Sequence, residues 1–268
     1  MKRLTLYIAL LFLIGCSTVP FTGRKQFAPI SSQQMIALGN SSYDQVLEES
    51  KVSDNQQYKN MVGEVGQNVA AAVEEYMMAN NMYERMEEYE WEFTVLESDM
   101  LNAWCMPGGK IAFYEGIMPV CEDRNGVAVV MGHEIAHAIA QHSNERLGQQ
   151  LLIQLGGMAL SEALEKEKET TQQLAMAAFG LGAQVGYMLP YSRKHEREAD
   201  ELGLYFMAMA GYDPREAPGF WQRMQDKSEG QARPPEFLST HPEPQARIKD
   251  IDKHMDKAME YYRNRENF

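Results

Sequence analysis

Basic charge is what this sequence most lacks. Its 268 residues hold 25 Lys and Arg against 38 Asp and Glu, for a formal net charge of −13 at pH 7. That balance argues against a protein that grips nucleic acid through a basic surface, so no nucleic-acid partner is expected. Internal repeats and long low-complexity tracts are also missing. With 44% hydrophobic and 10% aromatic residues, the chain can build one good-sized core, and a single domain is expected over residues 31–268. Long apolar runs are scarce too. The stretch "LAMAAFGLGAQVGYMLP" (174–190) carries no charge but is short for a membrane span and diluted by Gly and Gln184, so it reads as a buried or groove-lining helix. Cysteine is rare, with Cys16, Cys105 and Cys121 only. The last two either pair or remain buried thiols, since nothing in the spacing fixes their distance.

What is present begins with Lys2 and Arg3 ahead of "LTLYIALLFLIG", a short, positively headed apolar stretch that reads as a signal peptide over residues 1–15. Its end, Leu13-Ile14-Gly15-Cys16, resembles a bacterial lipobox, which makes Cys16 the expected lipidation site and membrane anchor. The turn-rich residues 16–30 then read as a lipid-anchored tether. Ser17 after the cysteine suggests the outer membrane, facing the periplasm, as the location within a bacterial cell envelope.

Helical periodicity runs from Ser31 through Leu47 and again from about Asn55 to Met82. Between residues 90 and 98, Trp91, Phe93 and Val95 alternate with polar neighbours as in a half-buried strand. "LNAWCMPGGKIAFYEG" (101–116) continues the β region through a Pro107-Gly108-Gly109 turn. The remainder reads as helices near 126–146, 147–166, 172–188, 193–210, 214–227 and 244–264. The expected class is α+β, with a small early sheet and helices around it.

The segment "VVMGHEIAHAIAQHSNER" (129–146) poses the chemical question. It reads as an almost wholly apolar helix, yet it carries His133, Glu134 and His137. The two histidines are four residues apart, one turn on one face, where two imidazoles can share a Zn²⁺ ion; Glu134 lies beside them, within reach of a water on the metal. Val127, Val129, Val130, Met131, Ile135 and Ile139 leave no broad wet face, and burying these three polar groups uncompensated is costly. A bound cation removes that cost.

A catalytic zinc takes a third protein ligand, and "YSRKHEREADELG" (191–203) offers one. Glu196 and Asp200 are four apart on a helix and can point inward together, Glu196 as ligand and Asp200 as the acceptor that orients a ligand imidazole. His195 and Glu198 compete for the ligand role if the register is different.

Gly132-His133-Glu134-x-x-His137 followed by Ser192-Arg193-x-x-Glu196-x-Glu198-Ala199-Asp200-x-x-Gly203 resembles the gluzincin endopeptidases that include HtpX, the CAAX prenyl protease type 1 and BepA-like periplasmic enzymes, metallopeptidase family forty-eight. The likeness extends to Asn102-Ala103 with Pro107-Gly108-Gly109 and to "THPEPQAR" (240–247), covering most of residues 25–250.

The resemblance implies a mainly helical zincin-type domain whose small sheet has an edge strand along the active-site cleft. It implies one zinc per chain on His133, His137 and Glu196, with Glu134 as general base. Asn102, Ala103, Pro107, Gly108 and Gly109 would border an extended substrate added as a further strand. His241 and Arg247 would lie near the metal and stabilise the transition state, or His241 would occupy the open position and impose latency; the bland alternative is a turn histidine and a surface arginine. The expected activity is zinc-dependent hydrolysis of peptide bonds in misfolded or misassembled envelope proteins. A latent or non-cleaving assembly factor for outer-membrane proteins is the alternative. No convincing spans and no room for a tetratricopeptide array set the chain apart from some of those relatives.

Overall fold

The computed structural model describes residues 16–229, 235–241 and 244–265. The expected signal peptide at residues 1–15 lies outside the described residues. In chain order the main elements are β1 (Cys16–Thr18), β2 (Lys25–Phe27), α1 (Ser32–Glu49), α2 (Gln56–Ala79), β3 (Glu92–Leu96), β4 (Ala103–Met106), β5 (Lys110–Tyr114), α3 (Arg124–Ile139), α4 (His142–Ala163), α5 (Glu169–Ala183), α6 (Leu189–Met209), α7 (Ala217–Ser228) and α8 (Pro244–Asn264). Two compact units can be distinguished within the chain, Met1–Ser31 with Gln141–Glu196, and Ser32–Ala140 with Arg197–Phe268.

The larger unit holds the sheet and most of the core. Asn55 opens α2 by accepting the backbone N–H groups of Gln57 and Tyr58 at 3.1 and 3.2 Å. Val62, Val65, Val69, Val73 and Met77 recur at helical spacing and form its buried face. The sheet runs β3-β5-β4, with β3 parallel and β4 antiparallel to β5. Central β5 buries Ile111, Ala112 and Phe113 in succession, as a strand covered on both faces must. That leaves β4 as an edge, joined to β5 by the Pro107-Gly108-Gly109 turn, in which both glycines adopt φ +92°.

Helix α3 packs on α2 and β4. Asp123 caps it, accepting from the N–H groups of Asn125 and Gly126 at 2.8 and 3.1 Å. Thirteen of its sixteen residues are buried, so it has no solvent face. It crosses α6 at a pair of glycines. A Cβ on Gly132 would lie 2.5 Å from the Gly203 carbonyl oxygen, and one on Gly203 would lie 2.7 Å from the His133 nitrogen. Only hydrogen at both positions lets the backbones meet.

The smaller unit combines β1 and β2, paired antiparallel, with α4, α5 and the start of α6. Residues 16–30, expected as a tether, are tied down. Asn144 accepts from the Ile30 N–H at 3.1 Å and donates to the Ile30 carbonyl at 2.7 Å, and Val19 and Gln26 are buried. The helix expected to run unbroken to residue 146 stops at Ile139, and Gln141 turns the chain with φ 56° before α4 starts. In the stretch 174–190, expected as a buried or groove-lining helix, Leu174, Leu181 and Val185 are exposed at 73%, 67% and 55%, so it is not a buried one. One side of α5 packs on α4, as where Phe179 covers Gly156. Among the described residues no helix is long and apolar enough to cross a membrane.

The glycine crossing predicts that Gly203→Ala costs about 1–3 kcal/mol of stability through overpacking. Gly63→Ala, where a Cβ meets nothing within 4 Å, should be neutral or stabilising because it lowers unfolded-chain entropy in a helix. Urea unfolding midpoints of the two variants measure the contrast.

Candidate metal centre

Helix geometry places the His133 and His137 rings on one face of α3, with centroids 4.6 Å apart and Nε2 atoms 3.0 Å apart. His241 follows the short helical turn Glu236–Thr240 and brings its Nδ1 to 3.1 Å from His133 Nε2. Glu196 lies on α6, one helical turn before Asp200. One ligand atom from each of His133, His137, Glu196 and His241 lies within 4.8 Å of the others. Glu134 is buried next to them, with Oε1 3.5 Å from His241 Nε2.

The donors suit zinc. Three imidazole nitrogens and a carboxylate oxygen are the ligand types that Zn²⁺ takes, and two nitrogens each about 2.0–2.1 Å from a tetrahedral centre stand about 3.3 Å apart. The nitrogen separations of 3.0 and 3.1 Å approach that value with no need for large movement.

Behind His133 lies a buried ion pair. Asp200 Oδ1 is 3.2 Å from His133 Nδ1 and accepts its proton, leaving the Nε2 lone pair to face the other donors. Arg247 grips the same carboxylate through Nη2 and, at 2.8 Å, through Nε; its Nη1 donates to the His241 carbonyl at 3.4 Å. The guanidinium lies 3.5 Å from the Trp221 ring centroid. Burial alone would raise the Asp200 carboxyl, but the Arg247 charge and the His133 hydrogen bond hold it below the usual aspartate range.

The other sequence-derived candidates fall as follows. His195 and Glu198 are outside the four-residue group. His195 instead turns to Glu145, with Nε2 2.9 Å from Oε2. Arg247 is buried and bound to Asp200, and its Nη2 also lies 3.0 and 3.4 Å from Nδ1 and Nε2 of His133. Asn102 and Ala103 begin the edge strand, whereas Pro107 and Gly108 pack against Gly39 and Ile36 of α1 and Gly109 against Trp91. Cys105 on β4 is near enough to Glu134 that the carboxylate charge adds to burial in raising its thiol well above the ordinary value. Cys105 and Cys121 are unbonded thiols. Trp221 and Phe237, whose ring centroid is 4.6 Å from that of His241, frame the site without any sequence signal beyond being aromatic.

A mainly helical α+β chain that gathers these donors around an HExxH helix has the build of a zincin-type metallopeptidase domain. The chain belongs to peptidase family M48, whose model matches residues 65–255. It is 36% identical over 181 residues to the mitochondrial metalloendopeptidase OMA1 of Schizosaccharomyces pombe, covering 65% of this chain and 49% of that protein. Against OMA1 of Saccharomyces cerevisiae it is 28% identical over 277 residues, covering 96% and 76%. The beta-barrel assembly-enhancing protease of Escherichia coli K12 matches at 27% over 164 residues, 60% of this chain and 33% of that protein. The chain thus spans about half the length of the fission-yeast relative and a third of the bacterial one.

These comparisons correct the expected location. A lipid-anchored protein of the bacterial outer membrane is contradicted by relatives that cover up to 96% of the chain and are named as mitochondrial. The likeness does not single out the BepA-like branch either. The physical reason is that a basic-headed apolar stretch reports targeting to a membrane in general, and its few residues carry little information about which one.

The buried ion pair gives a stability test. Arg247→Met strands the Asp200 carboxylate and should cost about 3–5 kcal/mol, read by denaturant unfolding.

Proposed function

We propose that this protein cleaves internal peptide bonds of extended or unfolded polypeptide segments, with zinc held by His133, His137 and Glu196. The observation that carries the reading is the convergence of these residues with His241 within 4.8 Å on buried helices, with Glu134 alongside. Zinc bound there supplies Lewis-acid polarisation of a carbonyl group and of a water molecule. The Glu134 carboxylate takes the proton from the attacking water and returns it to the leaving nitrogen. Asp200 keeps the His133 imidazole in its Nδ1–H form, and Arg247 holds Asp200 in place. Among the described residues β4, beginning at Ala103 just after Asn102, is an edge strand, to which a substrate could add as an antiparallel or parallel strand. Pro107, Gly108 and Gly109 keep that edge in register by fixing the turn that ends it.

The approach of His241 Nδ1 to 3.1 Å from His133 Nε2 supports a second element of the reading, a latent state. With His241 as a fourth donor, the position that a water or substrate carbonyl would take is filled. With zinc bound, His241 would be the donor that gives way to substrate, and its imidazole, beside Glu134, would stabilise the developing oxyanion.

The decisive experiment incubates the purified protein with an unfolded model protein and quantifies zinc alongside peptide products. Glu134→Gln should keep its zinc and lose about 10²–10⁴-fold in rate; full activity in that variant sinks the base assignment. A latent resting state predicts that His241→Ala cuts faster than wild type at low substrate, whereas a purely catalytic His241 predicts slower cutting.

A further inference from the structure

We propose that Glu145 and His195 are positioning residues for the metal site: together with Arg24 they fix the helical segment that presents Glu196. The inference rests on the reading of Glu196 as a metal ligand.

The four residues lie in one compact unit. Arg24 clamps Glu145 with two bonds, Nη1 to Oε1 at 3.0 Å and Nη2 to Oε2 at 2.7 Å. His195 Nε2 donates to the same Oε2 at 2.9 Å. Because a carboxylate only accepts, this bond fixes the Nε2–H form of His195. The imidazole is 1% exposed and stacked on His142, with centroids 4.3 Å apart and planes 16° apart; Tyr191 meets it at 6.2 Å. The hydrogen bond on one edge, His142 stacked on a face and Tyr191 set at a steep angle to it restrict its orientation.

None of these side chains belongs to the four metal-facing residues. An ion pair in such a dry place is weak support for stability, since hydrophobic side chains of equal volume often serve as well. What it supplies is direction. Neighbouring residues on a helix project about 100° apart, so holding His195 on one side sets the angle at which Glu196 leaves the other. Side-chain tips stand about 5–6 Å from the helix axis, so a helix rotation of about 10° moves a carboxylate by about 1 Å. Metal–ligand distances tolerate only about 0.2 Å. A ligand on this helix is therefore well served by a pin close by, and His195 is the adjacent residue.

The test measures zinc affinity of the full chain by competition with a chromophoric chelator, together with the visible spectrum of the cobalt-substituted protein, which reports ligand geometry. His195→Leu keeps Glu145 paired with Arg24 and should weaken zinc about 10–100-fold and alter the cobalt bands. His195→Gln, which retains a donor at the Nε2 position, should restore both. Asn144→Ala breaks the nearby bonds to Ile30 and should lower the unfolding midpoint while leaving zinc affinity as in wild type. If His195→Leu does not fold, Glu145→Gln replaces it, with the same expected weakening. A folded variant with wild-type affinity and spectrum overturns the inference, as does an Asn144→Ala that loses zinc equally. Glu196→Gln runs in parallel: if it binds zinc like wild type, the ligand reading itself falls and takes this inference with it, whereas if it loses zinc and the His195 and Glu145 variants do not, only the positioning role falls.

Discussion

A helix without a wet side is the constraint from which the rest of this structure follows. Helix α3 is buried around its whole circumference at the level of His133, Glu134 and His137, and polar groups in such a place must be matched or neutralised. The surroundings meet the demand in layers. Asp200 answers His133, Arg247 answers Asp200, Trp221 covers the guanidinium, and three nitrogens and a carboxylate converge where a dication satisfies them together. Each layer would be a liability alone: Asp200 without Arg247 is a buried charge, and Arg247 without Asp200 is another. The glycine pair is the geometric condition for this arrangement. With Cβ atoms at 132 and 203 the two helices would stand further apart, and Asp200 would no longer reach the His133 ring.

Much of this was legible from residue spacing because the signals were strictly periodic. The four-residue separations of His133 from His137 and of Glu196 from Asp200 are helix-face statements, and both pairs lie on helices with those partners facing inward. The β region from Glu92 to Tyr114 followed likewise from the alternation around Phe93 and from the Pro107-Gly108-Gly109 turn, though its sheet order did not. Gln141 shows the opposite case. Nothing in "AIAQHSNER" announces a left-handed residue, since glutamine has no special liking for it, and the break depends on what the two flanking helices pack against rather than on local preference. For 174–190 an absence of charge left burial and groove-lining both open, and the exposed leucines show that apolar residues are not all inside.

The roles of Arg247 and of residues 16–30 were hidden for a related reason. An arginine four residues into a polar helix has the same sequence appearance whether it faces solvent or a buried aspartate, because its partner lies 47 positions away in the chain. Arg24 and Glu145, separated by 121 positions, are equally invisible as a pair. Turn-rich composition at 16–30 was a fair guide to irregular backbone but said nothing about Asn144 fastening Ile30. Long-range pairing of charge is the kind of information that periodicity lacks.

Among the four metal-facing residues, His241 differs in how it is carried. His133, His137 and Glu196 ride on helices of sixteen and twenty-one residues, where moving one side chain far means moving a packed rod. His241 caps a five-residue turn, held by the Phe237 N–H on the Leu101 carbonyl at 3.0 Å and by the contact of the two rings. Shifting that turn breaks few hydrogen bonds, and the Leu101 anchor sits just before Asn102 and the edge strand. A polypeptide that settles along β4 on the proposed reading would lie beside the Leu101 carbonyl that restrains the His241 turn. On the proposed reading, this makes substrate the natural agent of His241 displacement: the same backbone contact that places a peptide in the cleft would loosen the fourth donor, so the catalytic position would open only when something is present to be cut.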